Sequence, residues 1–398
     1  MLIELIFFLL LGICFGTFTG LFPGIHINLV GAILVSLSFS VLYKISPAYL
    51  VVFIVSMSIT HTFLDFIPSI FIGCPNDETV LSILPGHEML REGKGHSAVL
   101  LTAYGGLTAI LLTPVLSYPL IILVKNIYPL IQKSIPFILI AVSLIMIFSE
   151  KNKPSSFIVY TLTGILGLII LNINSLNEPL LPLLSGLFGA SSIILSIKSR
   201  TKIPKQTIRE EKPSLKELKK PLPGSLVASV LCGFLPGLGS GQAAILGNTI
   251  SKADRKGFLV LLGITNTLVM IFSFLSLYAI SKTRTGSAAA IRELIGPPSS
   301  KILVLILLTT MISGVISFFL VKKISKVFSK KIGAINYTKI SLIALAILLT
   351  LITLVSGLTG ILVFVISTLT GIYCIQTGVK RTNMMACLLL PTIVLYLV

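Results

Sequence analysis

The chain has no tryptophan and few charged residues. Of its 398 residues, 11% are charged and 55% are hydrophobic. Soluble domains carry about 25% charged residues, so this composition excludes an ordinary soluble enzyme or binding domain. The apolar runs are continuous rather than alternating, which excludes an outer-membrane barrel. We therefore predict an all-α, polytopic integral membrane protein with roughly a dozen membrane segments plus hairpins.

Acidic residues are scarce, with 13 Asp and Glu against 31 Lys and Arg, a net charge of +18. The basic residues lie in short loops between apolar runs, where the positive-inside rule accounts for them. No aromatic residues interleave with them to form a nucleic-acid groove. We predict a multi-pass protein of the cell membrane that has no nucleic-acid partner.

Motifs of catalysis and metal binding are also missing. The five cysteines have no CxxC spacing, and HExxH, GxSxG and a Walker loop are absent. We expect no disulfide framework, no metal site, no organic cofactor and no self-contained ATP-driven pump. The chain is predicted not to be an enzyme.

The chain divides at a basic stretch just before its middle. We predict an N-terminal membrane repeat at 1–197, a cytoplasmic linker at 198–221 and a C-terminal membrane repeat at 222–398. The linker is rich in Lys and Arg, which favours the cytoplasm. Residues 222–251 have basic flanks on both sides, so they should enter the membrane and return as a hairpin.

Two Pro-Gly motifs stand at matching places in the two halves. Residues 21–28 read Leu-Phe-Pro-Gly-Ile-His-Ile-Asn, and residues 234–242 read Phe-Leu-Pro-Gly-Leu-Gly-Ser-Gly-Gln. Pro and Gly end one half-helix so that another can begin, which frees backbone groups that line a wet cavity. Half-helix N-termini attract anions. The alternative is a kink with close helix packing.

These motifs supply most of the candidate substrate-binding residues. A polar interruption at Thr265-Asn266-Thr267 adds one more, although such residues also bridge helices. The candidates are Pro23, Gly24, His26, Asn28, Pro236, Gly237, Gly239, Ser240, Gln242 and Asn266.

Counting crossings from the basic residue Lys151 places Tyr43-Lys44 outside. A hairpin within residues 1–43 then enters from the outside, whereas the hairpin at 222–251 enters from the cytoplasm. We predict inverted-topology repeats, each containing a Pro-Gly-broken re-entrant hairpin, whose site lies near the midplane.

Polar residues in the first half are candidates for ion coupling. His61 and Asp65 stand four apart in an apolar run and share one helical face, where they suit a proton relay or a structural hydrogen bond between helices. Asn76, Asp77 and Thr79 follow that run and suit a coupling cation or a solvated loop. In the second half, Lys282 and Arg284 suit an anion, although a solvated loop is the favoured interpretation.

Three elements in order resemble a known family. They are Gly20-Leu21-Phe22-Pro23-Gly24, then residues 72–95 with Gly73-Cys74-Pro75 and Pro85-Gly86-His87-Glu88, then residues 233–239. This order resembles the large permease of the tripartite tricarboxylate transporters, the TctA family, and especially its shorter archaeal branch.

The resemblance implies a secondary transporter of di- or tricarboxylates, coupled to Na⁺ or H⁺. Its implied partners are a small membrane subunit and a binding protein, besides membrane lipid and a small organic anion; a homodimer is also compatible. One alternative is a transporter of an anionic lipid such as a polyprenyl phosphate. Another is an intramembrane metal-dependent enzyme that uses His61 with Asp65, or His87 with Glu88.

Overall fold

The computed structural model is helical throughout the part of the chain that it describes, which confirms the predicted all-α class. The described residues are 2–22, 27, 30–31, 34–35, 45–72, 79, 83–198, 204–208, 212–234, 240–332 and 337–397.

The described helices of the first half range in length from 5 to 38 residues. They are α1 (Leu2–Leu21), α2 (Pro47–Leu64), α3 (Phe66–Ile72), α4 (Ile83–Arg91), α5 (Gly95–Gln132), α6 (Ile135–Phe148), α7 (Lys153–Leu171), α8 (Leu180–Leu184) and α9 (Ser191–Lys198). A π-helical segment at Ser185–Ala190 joins the last two.

One short helix lies in the linker, and the other described helices follow it. They are α10 (Leu215–Lys219), α11 (Leu222–Phe234), α12 (Ser240–Ser251), α13 (Arg255–Ile280), α14 (Gly286–Ile295), α15 (Ser300–Ile332), α16 (Tyr337–Gln376) and α17 (Ala386–Leu397). Helix α16 is kinked at Gly357, and a 3₁₀ turn at Arg381–Met385 precedes α17.

Seven stretches among the described residues are long and apolar enough to cross a membrane. They are 2–21, 47–71, 95–129, 153–171, 255–280, 300–331 and 345–376. Three further apolar helices are shorter. The expected dozen segments are not all found at spanning length, because several apolar runs form helices of 17 residues or fewer.

The first central helix, α2, packs against α1 along a row of small residues. A Cβ atom added at Gly16 would overlap the Met57 carbonyl oxygen, and one at Gly20 would lie 2.8 Å from Leu64 Cβ. Contacts advance in the same direction along both helices, so α1 and α2 run parallel. Small residues let the backbones approach this closely.

The second central helix, α13, packs in the same way against α11. Ser225 near the start of α11 donates to the Leu261 carbonyl at 3.5 Å, and Phe234 at its end meets the ring of Phe272 with centroids 5.4 Å apart. Helices α11 and α13 therefore also run parallel. The apolar stretches of α2 and α13 are almost wholly buried inside the protein.

Helices α11 and α12 touch backbone to backbone at one end. A Cβ atom added at Gly224 would overlap the Gly247 carbonyl oxygen. Close by, Ser251 Oγ accepts from the Gly224 N–H at 3.0 Å and donates to the Pro221 carbonyl at 3.2 Å. These hydrogen bonds and the close packing of the two glycines hold the start of α11 against the end of α12.

One end of the molecule gathers the linker and the starts of two long helices. Thr207 of the linker donates from its N–H to the Gly93 carbonyl at 2.8 Å. Arg255, at the start of α13, donates to both carboxylate oxygens of Glu92 at 2.7 and 3.1 Å. A Cβ atom at Gly95 would meet Phe71 at 2.8 Å, so the C-terminal end of α3 lies at this end as well.

Candidate functional site

Most of the predicted site residues lie outside the part of the chain that the structure describes. These are Pro23, Gly24, His26, Asn28, Asn76, Asp77, Pro236, Gly237 and Gly239, together with the side chain of Gln242. The geometry of the remaining five, His61, Asp65, Thr79, Ser240 and Asn266, can be followed. All five are buried.

Asp65 of the first half meets Asn266 of the second half in the centre of the protein. The Asn266 amide donates to Asp65 Oδ2 at 3.1 Å and to the Thr62 carbonyl at 3.3 Å. Asp65 is 0% exposed and Asn266 is 2% exposed. A buried carboxyl group is costly unless it is hydrogen-bonded, so this contact ties α13 to α2.

Asp65 lies where the helix is interrupted between α2 and α3. Pro68 causes the interruption, because it has no N–H to donate to the carbonyl of Leu64 and its ring crowds that carbonyl. Asp65 still closes the last turn of α2 through its N–H bond to the His61 carbonyl at 3.0 Å. The carboxyl group is therefore held beside a helix break inside an apolar segment.

His61 lies one turn before Asp65 and contacts α1. Its Nδ1 is 3.0 Å from Thr19 Oγ1, and both residues are buried. Thr19 precedes the first Pro-Gly motif by only a few residues. His61 thus places a titratable ring between the first central helix and the helix that leads into that motif.

His61 and Asn266 occupy equivalent places in a short repeat that the sequence analysis missed. Residues 59–62 read Ile-Thr-His-Thr, and residues 264–267 read Ile-Thr-Asn-Thr. Both stretches lie in buried central helices. The signal in the sequence is that both stretches interrupt a long apolar run with the same Ile-Thr-x-Thr pattern, although neither contains Pro-Gly.

A serine near the end of each central helical segment bonds a threonine in the loop that follows. Ser69 Oγ lies 2.5 Å from Thr79 Oγ1 in the first half. Thr285 Oγ1 donates to Ser273 Oγ at 3.0 Å in the second half. Thr79 and Thr285 are therefore each held against the central helical segment that precedes them.

Arg284 lies in the second of these loops and reaches the end of α11. Its Nε donates to the Cys232 carbonyl at 2.7 Å, and its backbone N–H donates to Ser273 Oγ at 3.2 Å. The preferred interpretation of this residue as part of a solvated loop is wrong, because its side chain is partly buried against α11. Lys282 is exposed, as expected.

Ser240 lies within the second Pro-Gly motif, where α12 begins, and is 3% exposed. The first residues of a helix carry N–H groups that have no partner within the helix, and they bear a partial positive charge. The start of this 12-residue helix therefore has the polarity that an anionic group requires.

The buried core thus combines a carboxyl group, an amide, an imidazole ring and several hydroxyl groups. Such a set can hold a proton or a dehydrated cation and can hydrogen-bond a polar cargo. Within the described ranges, no three His, Cys, Asp or Glu side chains come together as a metal site would need.

Comparison with known proteins places these features in a family. A model of the tripartite tricarboxylate transporter TctA family matches residues 6–386. The uncharacterized protein MJ1079 of Methanocaldococcus jannaschii is 32% identical over 400 residues, which cover 98% of each chain. No solved structure matches the chain.

Proposed function

The chain belongs to the tripartite tricarboxylate transporter TctA family, and from this premise we propose that it moves a di- or tricarboxylate across the membrane by coupling to Na⁺ or H⁺. It is a multi-pass membrane protein, and its family is one of transporters rather than enzymes. The alternative of an intramembrane metal-dependent enzyme is therefore excluded. The contact between Asp65 and Asn266 carries the proposal, because it joins the two halves through buried polar groups at matching central helices.

Chain direction supports an inverted repeat. The central helices α2 and α13 each run parallel to the helix that leads into a Pro-Gly motif. The C-terminal end of α3 and the start of α13 lie at the same end of the molecule, as the contacts of Gly95 and Glu92 indicate. The two motifs are therefore approached from opposite ends, as in inverted-topology transporters.

A contact far from the centre supports the same topology. Asn383, after α16, donates to Glu150 Oε1 at 3.3 Å and accepts from Ser156 Oγ at 3.1 Å near the start of α7. The end of α16 and the start of α7 thus share one end of the molecule. If the part of α16 after Gly357 is the repeat counterpart of α7, a parallel repeat would place the end of α16 and the start of α7 at opposite ends of the molecule.

Helix lengths support a re-entrant hairpin in the second half. Helices α11 and α12 have 13 and 12 residues, about 20 and 18 Å, whereas the hydrocarbon core is about 30 Å thick. Because the other ends of these helices are held together, we propose that the Pro-Gly turn between them lies inside the membrane. In the first half α1 has 20 residues, so the hairpin proposed there has a longer first arm.

The end that gathers the linker is proposed to be cytoplasmic. The basic linker docks there. Helix α15 also ends there, since the ring centroid of Phe328 lies 6.0 Å from that of Phe71, and its last turn carries Lys330 and Lys331. Cytoplasmic loops carry an excess of Lys and Arg. The domain boundaries at 197 and 221 are proposed together with this assignment.

The carboxylate is proposed to bind between the two Pro-Gly motifs. The N–H groups at half-helix N-termini, including that of α12, suit its negative charge. Asn266 and Ser240 are the proposed binding residues whose side-chain positions the structure describes. The remaining binding residues are proposed from the motifs: Pro23, Gly24, His26, Asn28, Pro236, Gly237, Gly239 and Gln242.

The coupling ion is proposed to bind around Asp65. His61 lies one turn away on α2, and Ser69 and Thr79 lie one turn beyond on the other side. Carboxylate, carbonyl and hydroxyl oxygens suit a hard cation, and the carboxyl and imidazole groups suit a proton. Asn76 and Asp77 extend this proposal along the same loop.

Family membership suggests the partners. TctA proteins generally work with a binding protein and a small membrane subunit. We propose both for this chain, together with the option of a homodimer in the membrane.

Transport in proteoliposomes tests the function. Purified protein should accumulate citrate or succinate under an inward Na⁺ or proton gradient. Gly24→Val and Gly237→Val should each abolish uptake while membrane insertion survives, because a branched side chain blocks backbone access at the motif. Full transport by both variants would overturn the site assignment, and no carboxylate transport by the wild-type protein would overturn the function.

A further inference from the structure

The loop after α13 returns into the protein. Ser273 Oγ, on the buried face of α13, accepts from the N–H groups of Arg284 and Thr285 at 3.2 and 3.0 Å. Ser273 precedes the end of α13 by seven residues, which is about 10 Å of helix. The backbone of Arg284 therefore lies about two turns inside the end of this membrane helix.

The guanidinium group of Arg284 lies at the end of the helix that leads into the second Pro-Gly motif. Its Nε donates to the Cys232 carbonyl at 2.7 Å, and an Nη lies 3.5 Å from Cys232 Sγ. Cys232 is two residues before Phe234, where α11 ends and the motif begins. A full positive charge is thus held beside the proposed carboxylate site.

The first half has no such charge at the equivalent place. Arg284 follows Asn266 by the same number of residues as Thr79 follows His61, and both loops are tied to their central helix by a serine hydroxyl. A threonine hydroxyl bonds that serine in both halves, Thr79 in the first and Thr285 in the second. Anchoring alone therefore does not require arginine in the second half.

The charge has a use in binding a multiply charged anion. A helix N-terminus contributes only about half a unit charge, whereas citrate carries up to three carboxylate groups. A guanidinium group adds a full charge and a planar fork of N–H donors that matches a carboxylate. Charged residues are expensive inside a membrane, and they usually mark a functional path.

We propose that Arg284 is a substrate-binding residue that sets a preference for anions with two or three carboxylates. The proposal rests on the proposed function and adds a charged residue to its site. The alternative is that Arg284 only caps the C-terminal end of α11, where a cation is favourable without any substrate.

Binding measurements on the purified full-length protein separate the two roles. Calorimetry with citrate, succinate and acetate would compare wild type, Arg284→Gln, Arg284→Lys and the matched control Lys282→Gln. We expect Arg284→Gln to weaken citrate binding by about 10- to 100-fold, the effect of losing a charge-assisted hydrogen bond, and to reduce the preference for citrate over acetate. Lys282→Gln should bind citrate like the wild type.

Each outcome of these measurements either supports or overturns the proposed role of Arg284. Unchanged citrate affinity in Arg284→Gln, with only a lower melting temperature, would assign a capping role and overturn the proposal. If Arg284→Gln does not fold, Arg284→Lys decides, because it keeps the charge and loses the fork: weakened citrate binding supports the proposal, and wild-type affinity overturns it. A wild-type protein that binds none of the three acids would instead refute the proposed function.

Discussion

Replacing Asp65 with asparagine removes an ionisable group from the centre of the protein while keeping the shape of the side chain. The introduced amide can still accept from the side chain of Asn266, which lies 3.1 Å from the native carboxylate. Burying an ionised aspartate costs about 2.5–3.5 kcal/mol on insertion scales. A hydrogen bond to a neutral acceptor is about 1–1.5 kcal/mol weaker than one to a charged acceptor. Relief of the charge therefore outweighs the weaker bond, and Asp65→Asn should be at least as stable as the wild type.

Coupling should nevertheless be lost, because the neutral amide can neither release a proton nor neutralise a cation. In proteoliposomes we expect Asp65→Asn to exchange labelled citrate for internal citrate, yet to fail to accumulate it under the gradient that drives the wild type. Glu150→Gln is the matched control: Glu150 is also a buried acid that accepts from an asparagine amide, Asn383, but lies far from the central helices. This variant should accumulate citrate normally.

If Asp65→Asn accumulated citrate to the same level as the wild type, the coupling role of Asp65 would be refuted. A fall in its melting temperature together with loss of exchange would also contradict the reasoning, since it would identify the carboxylate as a structural necessity.

Two further predictions concern packing and pH. Gly105→Ala should lower the melting temperature, at a cost of about 1–3 kcal/mol, because its Cβ would overlap a backbone carbonyl of α13; Gly189→Ala, whose nearest neighbour is 3.8 Å away, should be tolerated. Hydrogen bonds from Arg255, and then from Lys94, hold the pKa of Glu92 below its usual value. The stability from Glu92 is therefore present above its unfolded pKa of about 4.3 and is lost as pH falls through the lower folded pKa. Glu92→Gln should flatten the acid limb of a melting-temperature profile, and an unchanged limb would contradict this assignment.

Much of the fold follows from local sequence properties. Continuous apolar runs and basic loops are sufficient to predict a helical membrane protein, because backbone groups in lipid must bond within their own segment. The break between α2 and α3 was not predicted, although Pro68 explains it. Hydrophobicity alone does not reveal it, because the apolar run continues across the proline.

The central contacts were harder to predict, because they join residues far apart in the chain. The spacing of His61 and Asp65 predicts that they share one helical face, where they suit a proton relay or a structural hydrogen bond between helices. In the structure each bonds to another helix, through Thr19 and Asn266 respectively. Helical spacing indicates which residues share a face, but not which helix will lie opposite. Arg284 was misjudged for a related reason, since its burial depends on a long-range bond to the end of α11.

The bond between Asp65 and Asn266 also has a consequence for biosynthesis. The two residues are 201 positions apart, so a ribosome that adds about 5–20 residues per second completes the acid roughly 10–40 seconds before its amide partner. During that interval the nascent first half lacks the amide that later bonds the Asp65 carboxyl group. We therefore expect α2 to reach its final packing only after α13 has been made, and a chain that terminates in the linker to lack that packing.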